Sequence, residues 1–154
     1  MSAQPSPREM RAREIFSSSP AGDPAELLAL ALALRDEENN IEYARRVLNV
    51  ARRLLDHSPF DLRFEVLRAL IVSTYKSPDQ PLDRRLNDAA ALANGLLAEV
   101  KDDPPRRQEL LGILGSISKM RCSAVGLRDQ LEQSLAFYIE CMNLVIELDR
   151  VYNA

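Results

Sequence analysis

The sequence predicts an all-α protein built from helical hairpins that stack side by side. Apolar residues recur three and four positions apart along most of the chain, and 5 glycines with 5% aromatic residues suit a helical composition. Three sets of apolar-face positions also recur at a spacing of 45 residues: Ile41, Leu86 and Leu131; Ala44, Ala89 and Ser134; and Leu48, Ala93 and Tyr138. A repeated helical unit buries its apolar face by stacking on its neighbours, and such stacks usually bind other molecules.

Length, charge and hydropathy restrict the class of protein. A chain of 154 residues with 46% hydrophobic and 28% charged residues suits a soluble globular protein. The net charge of −3 argues against a general nucleic-acid binder. The longest apolar run, Leu27–Leu34, is much shorter than the roughly 20 residues that span a bilayer. Two cysteines, Cys122 and Cys141, lie within apolar helical patterns, so we expect reduced thiols in a cytoplasmic protein without a membrane segment.

Residues 1–22 differ in composition from the rest of the chain. They contain Pro5, Pro7, Pro20 and a run of three serines, together with five charged residues and no long apolar stretch. We therefore expect a flexible lead with a short helical turn near Met10–Phe16, followed by one helical domain over 23–154.

The first helix of each hairpin is predicted from a capping side chain followed by proline. Such a pair offers an oxygen to unpaired backbone amides and fixes φ for the first turn. The pair occurs at Asp23-Pro24, Ser58-Pro59 and Asp103-Pro104, and the helical patterns that follow cover Ala25–Glu37, Phe60–Lys76 and Pro105–Cys122.

The second helix of each hairpin follows a short polar break, and the predicted spans are Ile41–Leu55, Leu82–Lys101 and Leu127–Arg150. Small residues at Ala44, Ala89 and Ser134 would let paired helices approach closely. Small and large residues four positions apart are typical of tetratricopeptide-like second helices, although the usual period is about 34. We expect three antiparallel hairpins in a short solenoid, with a compact six-helix bundle as the alternative. The last helix is expected to leave an apolar face for another domain or chain.

The sequence contains few residues in catalytic patterns, so we expect that the protein is not an enzyme and that it binds no cofactor or metal. The single histidine, His57, stands at a predicted helix end, where its charge would complement the helix dipole. Two arginine pairs, Arg45-Arg46 and Arg52-Arg53, form a basic strip along one helix. This strip is either a solvated face or a contact for an anion or acidic peptide.

Three ordered motifs resemble a known family. Residues 74–81 with the following Arg85-Leu86 and Ala89 are similar to Thr-Tyr-Lys-Asp-Pro-Asp-Leu-Pro followed by Arg-Leu-x-x-Ala. The second motif matches at Gln108-Glu109, Leu111-Gly112, Gly115, Ile117 and Lys119, and the third at 131–138. On these residues the chain resembles a tetratricopeptide-like family that includes the TRAFs-binding region of apoptosis signal-regulating kinases and related bacterial effector-associated modules.

The resemblance implies a helical regulatory or sensor module that joins a signal to an effector and has no catalysis of its own. The chain departs from the family pattern at Ser118, Met120 and Cys122, where relatives carry Tyr, Arg and Trp. The expected partner is an effector or signalling protein of a signalling or bacterial defence pathway, or a second copy of this chain.

The residues expected to bind a partner or ligand are Tyr75, Lys76, Arg85, Lys119 and Arg121. The simpler interpretation of the first motif is a proline-bounded turn in which Asp79 caps the following helix. In the alternative, Lys76, Lys119 and Arg121 at the C-terminal ends of adjacent helices form a cationic mouth for an acidic peptide or a phosphate. We therefore expect a protein-binding adaptor, with a sensor of a nucleotide-derived or other anionic signal as the alternative and a structural oligomerisation unit as a third interpretation.

Overall fold

A computed structural model describes the backbone of residues 3–18, 22–125 and 128–152, and the side chains of these residues apart from Cys122, 124–131 and 148–152. The described residues form seven α-helices and no strand, which confirms the all-α prediction. The helices are α1 (Pro7–Ser17), α2 (Pro24–Asp36), α3 (Ile41–Arg53), α4 (Phe60–Lys76), α5 (Leu82–Glu99), α6 (Pro104–Val125) and α7 (Arg128–Tyr152).

Side chains cap the N-termini of α2 and α3, whereas no side chain caps α4. Asp23 accepts a hydrogen bond from the amide of Ala25 at 3.0 Å, and Asn40 caps α3 through the amide of Tyr43 at 3.1 Å. The prediction that Ser58 caps α4 is wrong. Pro59 is the residue before α4, and no side chain caps the N-terminus of this helix. The amide of Ser58 instead donates to the carbonyl of Leu55 within the turn between α3 and α4.

Helix α1 lies within the segment that we expected to be a flexible lead. Ser6 caps it by accepting from the amide of Glu9 at 3.1 Å, and its hydroxyl donates to Glu38 at 2.7 Å. Ala12 and Ile15 are buried against the rest of the chain. A helix with only two buried residues has little apolar periodicity, so contacts with distant residues stabilise it more than its own sequence does.

The helices divide into two compact units, Met1–Pro81 and Leu82–Ala154. The single helical domain over 23–154 stays a prediction. In the first unit, the largest fully buried side chains include Leu34, Leu48, Phe64, Leu70 and Ile71. In the second unit they include Leu86, Leu110, Leu111 and Ile117.

Among the described residues, no helix has both the length and the apolar composition needed to cross a membrane.

The repeated small positions are buried in both units. Ala44 and Ala89 are fully buried, and Ser134 is 3% exposed. The hydroxyl of Ser134 donates to the carbonyl of Gly115 at 3.0 Å, so α7 lies close to the backbone of α6. At the next repeated position Leu48 and Ala93 are buried, but Tyr138 is exposed. The side chain of Leu131 lies outside the described residues.

Candidate functional site

Helix α7 packs on α6 through one of its faces. Ser134 and Cys141 contact α6, the latter with its thiol 3.6 Å from the carbonyl oxygen of Gln108. Phe137 and Leu144 are half-buried on the same side of the helix. Glu140 accepts a hydrogen bond from the guanidinium of Arg107, which fixes α7 along the first half of α6.

A second face of α7 carries large apolar side chains that are exposed. Each of these side chains lies three or four residues from another member of the set, and each is between 36% and 65% exposed. We call them the apolar stripe: Leu135, Tyr138, Ile139, Met142, Val145 and Ile146. A helix that is apolar on most of its circumference normally has both faces covered. The stripe groups six large apolar side chains, each more than a third exposed, on one helix face, and large exposed apolar patches mark interaction sites.

A groove with a volume of about 610 Å³ lies beside the stripe. We call it the cationic groove, because two of its described lining residues are basic and none of the described ones is acidic. Its lining comes from α5 (Leu82, Arg85), α6 (Ser116, Lys119, Met120, Ser123) and α7 (Tyr138). The groove therefore combines two cations with hydroxyl groups and two apolar side chains, a lining that suits an anionic group attached to an apolar body.

Local hydrogen bonds hold the polar lining of the groove. The hydroxyl of Ser116 donates to the carbonyl of Gly112 at 3.1 Å and lies 3.4 Å from the hydroxyl of Tyr138. The hydroxyl of Ser123 donates to the carbonyl of Lys119 at 3.0 Å. Both serines thus bond to their own helix.

Tyr138 belongs to both the apolar stripe and the cationic groove. Its ring lies against Gly115 of α6, where an added Cβ would stand 3.0 Å from two ring carbons. Glycine at this position lets the ring approach the α6 backbone. The repeated-position pattern placed Tyr138 on an apolar face but did not indicate that it joins two surfaces.

The structure brings together two of the five residues that the sequence predicts as a binding set. Arg85 and Lys119 line the cationic groove. The guanidinium of Arg121 donates to Asn87 at 2.9 Å and so connects α6 with α5. Tyr75 and Lys76 belong to the first unit, where Tyr75 is buried and the ammonium of Lys76 lies 5.7 Å from its ring centroid. A mouth that combines Lys76 with Lys119 and Arg121 stays a prediction.

The turn after α4 contains a polar contact that the sequence did not predict. Asp79, expected as a cap of the following helix, accepts hydrogen bonds from Arg45 at 2.8 Å, from Ser77 and from Gln80. Burial by itself would raise the pKa of Asp79. The hydrogen bonds from Ser77 and Gln80 and the charge of Arg45 outweigh burial and lower the pKa below its ordinary value.

Other candidate residues have contacts within the first unit or are exposed. The guanidinium of Arg46 lies 4.0 Å from the ring centroid of Phe16, so this part of the basic strip packs on α1. Arg52, Arg53 and His57 are exposed near the end of α3.

Cys141 is a free thiol, whereas the side chain of Cys122 lies outside the described residues. Within the described part of the chain, no group of three or more His, Cys, Asp or Glu residues is placed to bind a metal.

Comparison with known proteins adds no relative from which a function could be transferred. No protein-family model, no curated protein and no solved structure matches this chain. A proposal for the function therefore depends on the apolar stripe, the cationic groove and the sequence resemblance.

Proposed function

We propose that this protein is a non-catalytic interaction module that binds a partner protein and regulates it. The observation that supports this function is the apolar stripe on α7. Covering its six side chains would remove apolar area from water at about 25 cal/mol per Å². Tyr138 within the stripe is also of a residue type that is enriched among the side chains that dominate binding energy in protein interfaces.

The resemblance described above suggests what the partner does. It favours an effector or signalling protein, in a signalling or bacterial defence pathway, whose activity this chain would control. In this proposal the hairpins form a short tetratricopeptide-like stack, an architecture that commonly presents helical surfaces to other proteins.

The test is capture of partners from a lysate of the source cells, with the full chain as bait. We expect the wild-type chain to enrich a protein that an unrelated helical bait does not enrich. Ile139→Glu should lose this protein because it places a charge within the apolar stripe. Gln133→Glu is the matched control, because it adds the same charge at an exposed position of α7 outside the stripe. Failure of the wild-type chain to enrich any protein would contradict the proposed function.

A second candidate function is a sensor of an anionic small molecule, and the cationic groove supports it. Arg85 and Lys119 could bind a phosphate or carboxylate while Leu82 and Met120 contact its apolar part. Thermal unfolding with nucleotides or inorganic phosphate tests this candidate, since a ligand that binds the folded state raises its stability. The increase should vanish in Lys119→Ala and persist in Arg84→Ala, whose guanidinium is exposed and lies 3.8 Å from Asp88. No increase with any probe would reject the sensor.

A further inference from the structure

We propose that the apolar stripe and the cationic groove form one docking surface for an acidic amphipathic helix of the partner protein. The apolar face of that helix would cover the stripe, and an aspartate or glutamate on one flank would enter the groove. This inference rests on the proposed function, because it specifies the partner segment that the interaction module binds.

The two surfaces are continuous because they share Tyr138. Its ring is the edge of the stripe nearest α6, and the same side chain lines the groove. Its hydroxyl lies 3.4 Å from Ser116, so the polar end of the ring points toward the groove lining while its apolar body belongs to the stripe. A segment that covers Tyr138 therefore contacts both surfaces.

The length and direction of the stripe favour a helix as the bound segment. From Leu135 to Ile146 the stripe extends for roughly 16 Å along α7, at 1.5 Å per residue. Its side chains form a ridge at spacings of three and four residues. Such a ridge fits the apolar positions i, i+3, i+4 and i+7 of another helix, as in other helix-recognition surfaces.

The charges beside the stripe favour an acidic flank on that helix. Arg85 is half-buried and Lys119 is exposed, and both line the groove. A carboxylate placed there would accept charge-assisted hydrogen bonds, and Leu82 and Met120 would shield them partly from water. A basic side chain at the same place would meet the like charge of the exposed Lys119.

The same charges argue against a second copy of the chain as the occupant. In an antiparallel twofold pair, equivalent flanks of the two α7 helices face each other. The grooves would then lie on the same side of the pair, toward opposite ends of α7, so the cations of both copies would add positive charge along one side. A parallel pair would align two helix dipoles side by side. A separate acidic helix avoids both penalties.

Two designed peptides of about 20 residues test the inference, each with the same leucine stripe along one helix face. One carries glutamates on the flank that would face the groove, and the other carries lysines at the same positions. Fluorescence anisotropy with the full chain should show roughly tenfold tighter binding of the glutamate peptide. Lys119→Ala should remove most of this preference, and Arg84→Ala should leave it unchanged.

Stripe variants test the apolar half of the surface. Ile139→Glu should weaken binding of both peptides by tenfold or more, and Met142→Glu provides a second variant at a position that is 65% exposed. Circular dichroism and thermal unfolding check that each variant remains folded. Because these positions are exposed, we expect little change in stability.

The outcomes separate this inference from the proposed function. Equal binding of the two peptides, or a preference that survives Lys119→Ala, would overturn the acidic helix. If the wild-type chain still captures a partner, the proposed function would stand. Concentration-dependent dimers that Ile139→Glu abolishes would make a second copy the occupant and would also overturn the inference. If the wild-type chain captures no partner, the proposed function itself fails.

Discussion

At the scale of single residues, the contact between Arg45 and Asp79 connects α3 with the turn after α4. Their side chains are 19% and 23% exposed, so water screens this ion pair less than a pair on the open surface. The lowered pKa of Asp79 means that its charged form is stabilised in the folded state. Stability from this group is therefore fully present above the unfolded pKa of about 3.9 and is lost as the pH falls through the lower folded pKa.

We predict that Asp79→Asn lowers the free energy of unfolding by about 1–2 kcal/mol at pH 7, because the ion pair with Arg45 is lost. The difference from the wild type should shrink as the pH falls from about 3.9 through the lower folded pKa, where Asp79 of the folded chain takes up a proton. Urea unfolding at several pH values measures both effects. Asp88→Asn is the matched control, since Arg84 and Asp88 form an exposed pair and should change stability by less than about 0.5 kcal/mol. A loss in Asp79→Asn that stays the same at low pH would contradict the ion-pair explanation.

At the scale of elements, the close approach of α6 and α7 depends on glycine at one position. A Cβ at Gly115 would meet the Tyr138 ring at 3.0 Å, whereas a Cβ at Gly112 would have no atom within 4 Å. Both glycines lie inside α6, where alanine is intrinsically favoured by about 1 kcal/mol. Comparing alanine at these two positions therefore separates the effect of helix propensity from the effect of packing against Tyr138.

We predict that Gly112→Ala raises the free energy of unfolding by about 0.5–1 kcal/mol and that Gly115→Ala gives less than this gain, because the ring of Tyr138 must move. In a Tyr138→Ala background the two substitutions should become similar. Chemical denaturation of the single and double variants measures the coupling between Gly115 and Tyr138. Equal gains from both substitutions in the wild-type background would show that the ring adjusts without cost.

The helices and their contacts differ in how well the sequence predicts them. Apolar periodicity and capping residues such as Asp23 predicted helices near the positions of α2 to α7, because these signals are local. Helix α1 was underestimated because its contacts come from distant residues such as Glu38. The sequence left open which face of α7 meets α6, since Phe137 and Ile139 are both apolar but only Phe137 is half-buried. Arg85 and Lys119, two of the residues expected to bind a partner, line the groove, whereas the pairing of Arg45 with Asp79 has no local signal.

At the scale of the whole molecule, residues contact mainly other residues of their own compact unit. Each unit has its own buried apolar residues, such as Phe64 in the first and Leu114 in the second. Regions whose contacts are mainly internal tend to open as separate cooperative units. A core substitution should therefore affect hydrogen exchange mainly in the unit that contains it.

We predict that Ile15→Ala, which removes an 8% exposed side chain of α1, destabilises the first unit by about 2 kcal/mol. Native-state hydrogen exchange followed by mass spectrometry should then show faster exchange within 7–76 and unchanged exchange within 104–147. Leu114→Ala is the reciprocal control, because it creates a cavity in the second unit and should accelerate exchange there alone. If either substitution accelerates exchange equally in both ranges, the chain opens as one cooperative unit and the division of contacts does not govern its unfolding.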